Sequence, residues 1–287
     1  MRHRKFTCLL FLTILSFAQA AEGIIPPPKM QLPREPDKDD IPKDKAIAAA
    51  RGVCDAFALN PTGTPRVRLV EFRMDLCRAW EVSYDNACVK IESRKGQPVG
   101  ARFSRPPLPA ELAKKKKDSA IPEAEAKRIA LQAAEKIGLA LDADKVTCDY
   151  QDLWEMEKGD LLGAIWVVYQ PTEANGIKAF GSATFFSVRA ADGAIEALSL
   201  PHSLSGLTKD DVKITQEEAL RRAREKAQPE VRDQVDKGEL LAVNPFMFRI
   251  PAEKLEPILC WVFRAQAEGG PPNIIFVNAV DGAVYVR

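Results

Sequence analysis

The sequence predicts an α+β protein of three tandem repeats, each with one helix packed on an antiparallel sheet of about four strands. Each repeat begins with apolar residues at helical spacing and continues with apolar residues that alternate with polar ones, which is typical of strands. Three features also recur in the same order: a helix opening at Ile41, Ile121 and Ile214, a tryptophan at Trp80, Trp166 and Trp261, and a glycine turn at Gly96, Gly193 and Gly282.

These features divide the chain of 287 residues into seven predicted parts. A chain of this length is expected to form more than one compact unit. The predicted parts are a signal peptide at 1–20, a mobile Pro-rich leader at 21–40, a first and weakest repeat at 41–104, a linker at 105–120, a second repeat at 121–200, a linker at 201–212 and a third repeat at 213–287.

The first 20 residues have the pattern of a secretory signal peptide. Arg2, Arg4 and Lys5 precede an apolar run from Cys8 to Phe17, and Ala18-Gln19-Ala20 has the small-x-small form of a cleavage site. No later stretch approaches the roughly 20 apolar residues that a membrane span needs. We therefore expect an exported protein, periplasmic or extracellular, with no transmembrane span.

The charge balance excludes one class of partner. Three of the 41 Lys and Arg residues lie in segment 1–20, so that 38 would remain against 40 Asp and Glu residues after cleavage. A mature chain that is slightly acidic gives no reason to expect nucleic acid as a partner.

The third repeat shows the predicted architecture most clearly. Thr215 is predicted to cap a helix in a capping box with Glu218, and Ala219, Leu220, Ala223 and Ala227 recur at helical spacing after it. The Asp281-Gly282 dipeptide between two apolar runs predicts a tight hairpin.

The other two repeats show the same order. In the second repeat, Ile121-Pro122 opens a helix that ends at Gly138, and the segment from Pro171 to Gly181 is predicted to be a hairpin loop. The first repeat opens with Ile41-Pro42.

These residues resemble the PepSY domain. The similarity lies in Ile214 to Leu220, Trp261 to Arg264 and Asn278 to Val284, and again in Ile121 to Ala126, Trp166 to Tyr169 and Ala190 to Ile195. The resemblance implies a cystatin-like helix-on-sheet fold in exported proteins, which occurs in protease propeptides, where it inhibits, and alone as a non-catalytic module. Since no peptidase sequence follows the third repeat, we expect a stand-alone protein.

The sequence gives little support for catalysis. His202, the one histidine after the signal peptide, lies in the second linker, whereas zinc hydrolases and catalytic triads need histidines held rigidly. Nucleotide-binding loops are absent. Glu123, Glu125, Glu217 and Glu218 lie in first helical turns, where acids favour the helix dipole. We therefore predict no enzyme activity, no catalytic residue, no cofactor and no metal site.

Five cysteines follow the signal peptide, so at least one remains unpaired. Cys54, Cys77 and Cys88 are close in sequence and are the candidates for a local disulfide. A leftover thiol is more often buried and inert than reactive.

Binding residues are predicted in the hairpin loop, because loops on a rigid sheet commonly carry binding specificity. The candidates are Pro171, Glu173, Asn175, Gly176 and Lys178. The three tryptophans are predicted to pack in the core or on a sheet face, and the run Lys114 to Lys117 to be a solvated linker.

Two functions remain open. In the first, a non-catalytic exported protein binds another protein, with inhibition or regulation of a secreted or envelope protease as one form. In the second, the chain is a structural or assembly component of the cell envelope with no protease target. The oligomeric state follows from neither.

Overall fold

The computed structural model describes residues 31–73, 76–105, 120–154, 161–200, 204, 206–252, 254–266 and 273–287. Within these residues it has three α-helices and thirteen strands. The helices are α1 (Lys43–Ala56), α2 (Glu123–Lys136) and α3 (Gln216–Lys226). The strands are β1 (Gln31–Pro33), β2 (Arg66–Phe72), β3 (Cys77–Ser83), β4 (Ala87–Glu92), β5 (Pro98–Phe103), β6 (Thr147–Trp154), β7 (Leu161–Ala174), β8 (Ile177–Arg189), β9 (Ile195–Ser199), β10 (Glu239–Val243), β11 (Ile258–Ala265), β12 (Asn273–Asn278) and β13 (Val284–Val286).

The prediction of three separate helix-on-small-sheet repeats is wrong. The described strands form one mixed sheet of 13 strands, in the order β1-β2-β3-β4-β5-β9-β8-β10-β11-β12-β13, with β7 on β8 and β6 on β7. A strand at the edge of a sheet exposes unpaired backbone N–H and C=O groups, which can form hydrogen bonds with another strand. In this protein the strand edges of neighbouring repeats form hydrogen bonds with each other, and the three predicted sheets therefore form one sheet.

Two strand pairings join the segments 41–104, 121–200 and 213–287, which we call the first, second and third segments. The last strands of the first two, β5 and β9, pair antiparallel, with Gly100 to Arg102 opposite Ala197 to Ser199. The third segment joins through β10, which runs parallel to β8 along Lys178 to Phe180. This one parallel contact makes the sheet mixed.

The three tryptophans have equivalent surroundings. In each segment the indole Nε1 donates to the carbonyl of the isoleucine at the helix opening: Trp80 to Ile41 at 3.1 Å, Trp166 to Ile121 at 3.0 Å and Trp261 to Ile214 at 2.8 Å. The N–H groups of the same isoleucines donate to Ser93, Ala190 and Ala279, at 2.7, 2.8 and 2.9 Å. Gly96, Gly193 and Gly282 in the adjacent turns have φ of 71°, 78° and 77°. The positions aligned in the sequence are therefore equivalent in their local hydrogen bonds.

Alanines let each helix lie close to the sheet. Ala46 and Ala50 in α1, Ala126 and Ala130 in α2, and Ala219 and Ala223 in α3 have no exposed surface. The helices α1 and α2 share one hydrophobic core, whereas α3 packs on a separate cluster that includes Phe263 and Ile275. The predicted cap of α3 is present, because the Glu218 N–H donates to Thr215 Oγ1 at 3.2 Å. The Glu218 carboxylate pairs with Arg221 and Arg222 instead of returning to Thr215.

The third segment packs against the first through a loop between β10 and β11. The Asn244 Nδ2 donates to the Arg73 carbonyl at 3.0 Å, and the Arg73 guanidinium lies 4.9 Å from the centre of the Phe246 ring. On the side of the third segment away from α3, Phe180, Phe248 and Phe276 form an aromatic cluster with centroid distances of 4.8 to 5.7 Å. Phe180 belongs to β8, so this cluster also joins the second and third segments.

The end of the predicted mobile leader has regular structure. Gln31 to Pro33 pair with Val70 to Phe72 of β2, and Arg34 forms an ion pair with Glu71. The segment 1–20, the run Lys114 to Lys117 and His202 lie outside the described residues. No helix in the described part of the chain is long and apolar enough to cross a membrane.

Candidate functional site

The segment predicted to be a hairpin loop is largely paired. The strands β7 and β8 continue to the pair Ala174 and Ile177, with a bulge between Pro171 and Glu173. Only Asn175 and Gly176 form the turn, with φ of 54° and 69°. An Asn-Gly dipeptide adopts these positive φ values readily, and the sequence therefore favours a two-residue hairpin here.

The tip of this hairpin contacts the linker 201–212 and the third segment. The Asn175 Nδ2 donates to the Leu207 carbonyl at 3.0 Å, and Ile177 is fully buried beside Leu259 and Ala279. Lys178 lies 3.7 Å from Glu239. The five predicted binding residues, Pro171, Glu173, Asn175, Gly176 and Lys178, are exposed on this ribbon. Of these five residues, Asn175 and Lys178 contact residues beyond the second segment.

The candidate disulfide cysteines are free thiols in this structure. Cys54 lies on α1 inside the core. Cys77 and Cys88 lie on the opposite face of the sheet, but Ser83 rather than Cys77 is opposite Cys88. Six residues of strand therefore separate them, about 20 Å, and a disulfide needs a Cα separation below about 7 Å.

Burial also makes the remaining cysteines poor nucleophiles. Desolvation raises the pKa of Cys148 and of Cys260 to about 12, and it raises the pKa of Cys54 as well. The thiolate is the reactive form, so these thiols stay protonated at neutral pH.

The helix-terminal acids pair with neighbouring cations. Glu123 lies 2.9 Å from Lys127, and Glu125 lies 2.5 Å from Arg128. Hydrogen bonds from Arg221 and then Arg222 lower the pKa of Glu218 to about 2. Across the described residues, no group of three or more His, Cys, Asp or Glu is placed to hold a metal ion.

The most distinctive charged surface lies on the sheet face opposite α1 and α2, which we call the open face. Trp80, Val82, Val89 and Ile91 pack toward the helices. Because side chains alternate along a strand, Glu81, Ser83, Cys88 and Lys90 lie on the open face. The side-chain alternation of β2 and β5 places Arg66, Arg68 and Arg102 there as well.

Strand register brings four cations together at one corner of the open face. Arg66 is opposite Ser83, which is opposite Cys88, which is opposite Arg102. In the adjacent row, Arg68 is opposite Glu81, which is opposite Lys90. With strands about 4.8 Å apart, the Cα atoms of Arg66 and Arg102 are about 14 Å apart. We call Arg66, Arg68, Lys90 and Arg102 the basic corner.

Only part of this positive charge is neutralised locally. Arg68 Nε lies 2.6 Å from Glu81 Oε1, and this hydrogen bond raises the pKa of Arg68. Lys90 Nζ lies 4.1 Å from the centre of the Phe72 ring. Arg66 and Arg102 are exposed, and neither forms an ion pair with any described residue. Arg66 and Arg102 are therefore two cations of the corner without an ion pair to a described residue.

A groove lies at the β2 side of the basic corner. It is lined by Arg66, Val67, Arg68, Glu81 and Ser83 and has a volume of ≈ 380 Å³. The sequence did not predict this site, although alternation along a strand would place Arg66 and Arg68 on one face. The contributions of Lys90 and Arg102 depend on strand register, which the sequence does not state.

Comparisons with known proteins found only distant similarity. No family model and no curated protein matches the chain. Among solved structures, the Bacillus megaterium YpeB C-terminal domain is 16% identical over 86% of this chain and 97% of that chain, with a TM-score of 0.38. An uncharacterized protein from Eubacterium rectale is 12% identical over 85% of this chain and 82% of that chain, with a TM-score of 0.42. Neither likeness is close enough to assign a family.

Proposed function

We propose that this chain is a non-catalytic exported protein that binds an acidic segment of another protein at the basic corner. The observation that carries the proposal is the pair Arg66 and Arg102, both exposed and without an ion-pair partner among the described residues, on the sheet face opposite α1 and α2. Arg68 and Lys90 lie in the adjacent row of the same face. The pattern of residues 1–20 supports export, and the resemblance to the PepSY domain supports a binding module.

The spacing of the arginines fits an extended peptide. An extended chain rises about 3.4 Å per residue, so acids four residues apart are separated by about 14 Å. That separation matches the Arg66 and Arg102 Cα atoms. A guanidinium can also donate two parallel hydrogen bonds to one carboxylate, which makes Arg suited to acidic ligands.

A peptide titration tests this binding mode. The probe is a labelled peptide with glutamates four residues apart, measured by fluorescence anisotropy, with a lysine-substituted peptide as its charge control. We expect binding of the acidic peptide only, weakened as salt screens the exposed charges. Arg66→Glu together with Arg102→Glu should abolish it.

The matched control is Arg224→Glu together with Lys226→Glu, the same charge change on α3. This variant should bind the acidic peptide as the unmodified protein does. Equal loss in both double variants would show that net charge alone governs binding, and it would exclude the basic corner as the site.

A protease is the partner class that the resemblance favours. Secreted metalloproteases should be mixed with the protein, and their rates and complex formation should be measured. Inhibition that is lost in the Arg66→Glu, Arg102→Glu variant would place a protease at the basic corner. Unchanged protease rates and no complex would show that the protein does not inhibit these proteases. The binding of an acidic segment would then be decided by the peptide titration alone.

A further inference from the structure

We propose that β13 pairs with β13 of a second copy of this chain to form an antiparallel homodimer. The chain itself contains the precedent for this pairing. The equivalent last strands of the first and second segments, β5 and β9, pair antiparallel over three residue pairs. In the third segment, β13 has the same position after the turn at Gly282, but it pairs only with β12 within the described residues.

The hydrogen bonds show which backbone groups of β13 face outward. Arg287 exchanges both backbone bonds with Ile274, at 2.9 and 2.8 Å, so its N–H and C=O face β12. Alternation places the groups of Tyr285 on the same side and those of Val284 and Val286 on the outer side. The outward Val286 carbonyl accepts from Arg287 Nη1 at 2.9 Å. A carbonyl oxygen has a second lone pair, so two outward N–H and two outward C=O groups can bond to a partner strand.

An antiparallel pair centred on Tyr285 satisfies all of these groups. Val284 of each copy would then exchange backbone bonds with Val286 of the other. The side chains of Val284 and Val286 pack toward α3, and Tyr285 packs toward the aromatic cluster. The two valine faces would meet, and the two tyrosines would form a cross-strand pair.

The composition and shape of this edge also favour a partner. Edge strands that stay single commonly carry lysine, proline or a bulge. Val284-Tyr285-Val286 has neither residue, and its pairing with β12 is regular.

Sedimentation of the full chain over a wide concentration range tests the dimer. We expect a monomer–dimer equilibrium, and a monomer at all concentrations would overturn the proposal. Val286→Pro removes an outward N–H and leaves the bonds to β12 in place, so it should weaken dimerisation by about tenfold or more.

Val67→Pro is the matched control. Arg34 N–H donates to the Leu69 carbonyl at the outer edge of β2, so by alternation the groups of Val67 also face outward, beyond the part of β2 that β1 covers. This variant should dimerise normally, and equal weakening in both proline variants would overturn the proposal.

Tyr285→Cys gives a readout that does not depend on the proline variants. Facing residues that share no backbone bonds have Cα atoms about 4.5 Å apart, within the range of a disulfide. A covalent dimer should form on oxidation, and a chain that stays monomeric would contradict the pairing. The dimer should persist in Arg66→Glu, Arg102→Glu, because the basic corner is a separate surface.

Discussion

The first and second segments use the same backbone frame around their tryptophans but fill it differently. The Ser93 N–H donates to the Arg78 carbonyl at 2.9 Å, and the Ala190 N–H donates to the Ala164 carbonyl at the same distance. Asp40 precedes the opening isoleucine of the first segment, and Ala120 precedes that of the second. A cluster of Asp40, Arg78 and Ser93 therefore corresponds to three alanines.

The difference shows that the tryptophan contact does not need the polar cluster. The cluster instead binds the end of the segment 21–40 to the first segment. Arg78 donates to the Glu35 carbonyl at 2.7 Å and pairs with Asp37 and Asp40, at 3.1 and 2.5 Å. The Asp40 side chain is only 1% exposed. Arg78 Nε is buried without a hydrogen-bond partner in the described structure, so the cluster is incompletely satisfied.

The largest predicted effect comes from breaking this cluster on one side. Arg78→Ala leaves the buried Asp40 carboxylate unpaired and should lower the free energy of unfolding by about 3 kcal/mol. Asp40→Ala together with Arg78→Ala reproduces the pair found in the second segment and should cost less than Arg78→Ala alone. Urea denaturation of the variants measures both values.

This double variant is the sharpest test of the comparison. A cost equal to the sum of the two single costs would mean that the two residues act independently. The alanines of the second segment would then not be a valid counterpart of the cluster.

The tryptophan hydrogen bonds should contribute according to burial. Trp80 and Trp166 are each 5% exposed, whereas Trp261 is half-buried. Trp166→Phe should cost about 2.5 kcal/mol, because it leaves the Ile121 carbonyl unpaired and opens a small cavity. Trp261→Phe should cost about 1 kcal/mol, since water can reach its site. Thermal unfolding checks the order, and a larger loss for Trp261→Phe would break the equivalence of the three contacts.

The turn glycines should differ in their tolerance of a side chain. A Cβ at Gly193 would lie 2.6 Å from Ile129 Cδ1, whereas a Cβ at Gly96 would lie 3.4 Å from Ile41 Cδ1. Both have positive φ, which costs alanine about 1 kcal/mol. We expect a loss of about 1 kcal/mol for Gly96→Ala and about 2 kcal/mol for Gly193→Ala, measured by urea denaturation. Equal losses would show that the Ile129 side chain moves freely.

The smallest predicted effect is on the pH dependence of stability. Burial acts to raise the pKa of Asp40. Hydrogen bonds from the Asp37 N–H and the Ser93 side chain, together with the positive charge of Arg78, outweigh burial and hold the pKa below its ordinary value. A lowered folded-state pKa stabilises the protein above about pH 4, and this stabilisation is lost as the pH falls through the folded-state pKa.

The contribution of Asp40 ionisation to stability is measured by comparing the unmodified protein with the Asp40→Ala, Arg78→Ala double variant. The stability difference should be constant from about pH 5 to 8, and in acid the unmodified protein should lose stability relative to the variant. Denaturation curves at several pH values measure it. A difference that is the same at pH 3 and pH 7 would contradict a lowered pKa for Asp40.

The sequence predicted local structure better than assembly. The cap at Thr215, the turns at Gly193 and Gly282 and the buried alanines follow from spacing and backbone preference. The pairing of β5 with β9 and of β10 with β8 joins residues far apart in the chain, and no local pattern encodes that choice of partner. The prediction of separate repeats failed for this reason.

The candidate site was missed for a related reason. The hairpin from Pro171 to Gly181 has the turn residues of an exposed loop, but its tip is docked through Ile177 and Asn175. The basic corner combines residues of β2, β4 and β5, and only strand register brings Arg66 and Arg102 into one surface. Their separate positions in the sequence resemble ordinary solvated charges.

Amide hydrogen exchange at the junction of β5 and β9 tests the continuous sheet most directly. The Leu200 N–H donates to the Val99 carbonyl at 3.0 Å across this junction. A continuous sheet predicts that Leu200 exchanges as slowly as amides of the β3–β4 ladder. Exchange of Leu200 at the rate of an exposed loop, with β3 and β4 still protected, would show that the segments are separate units and would contradict the fold described here.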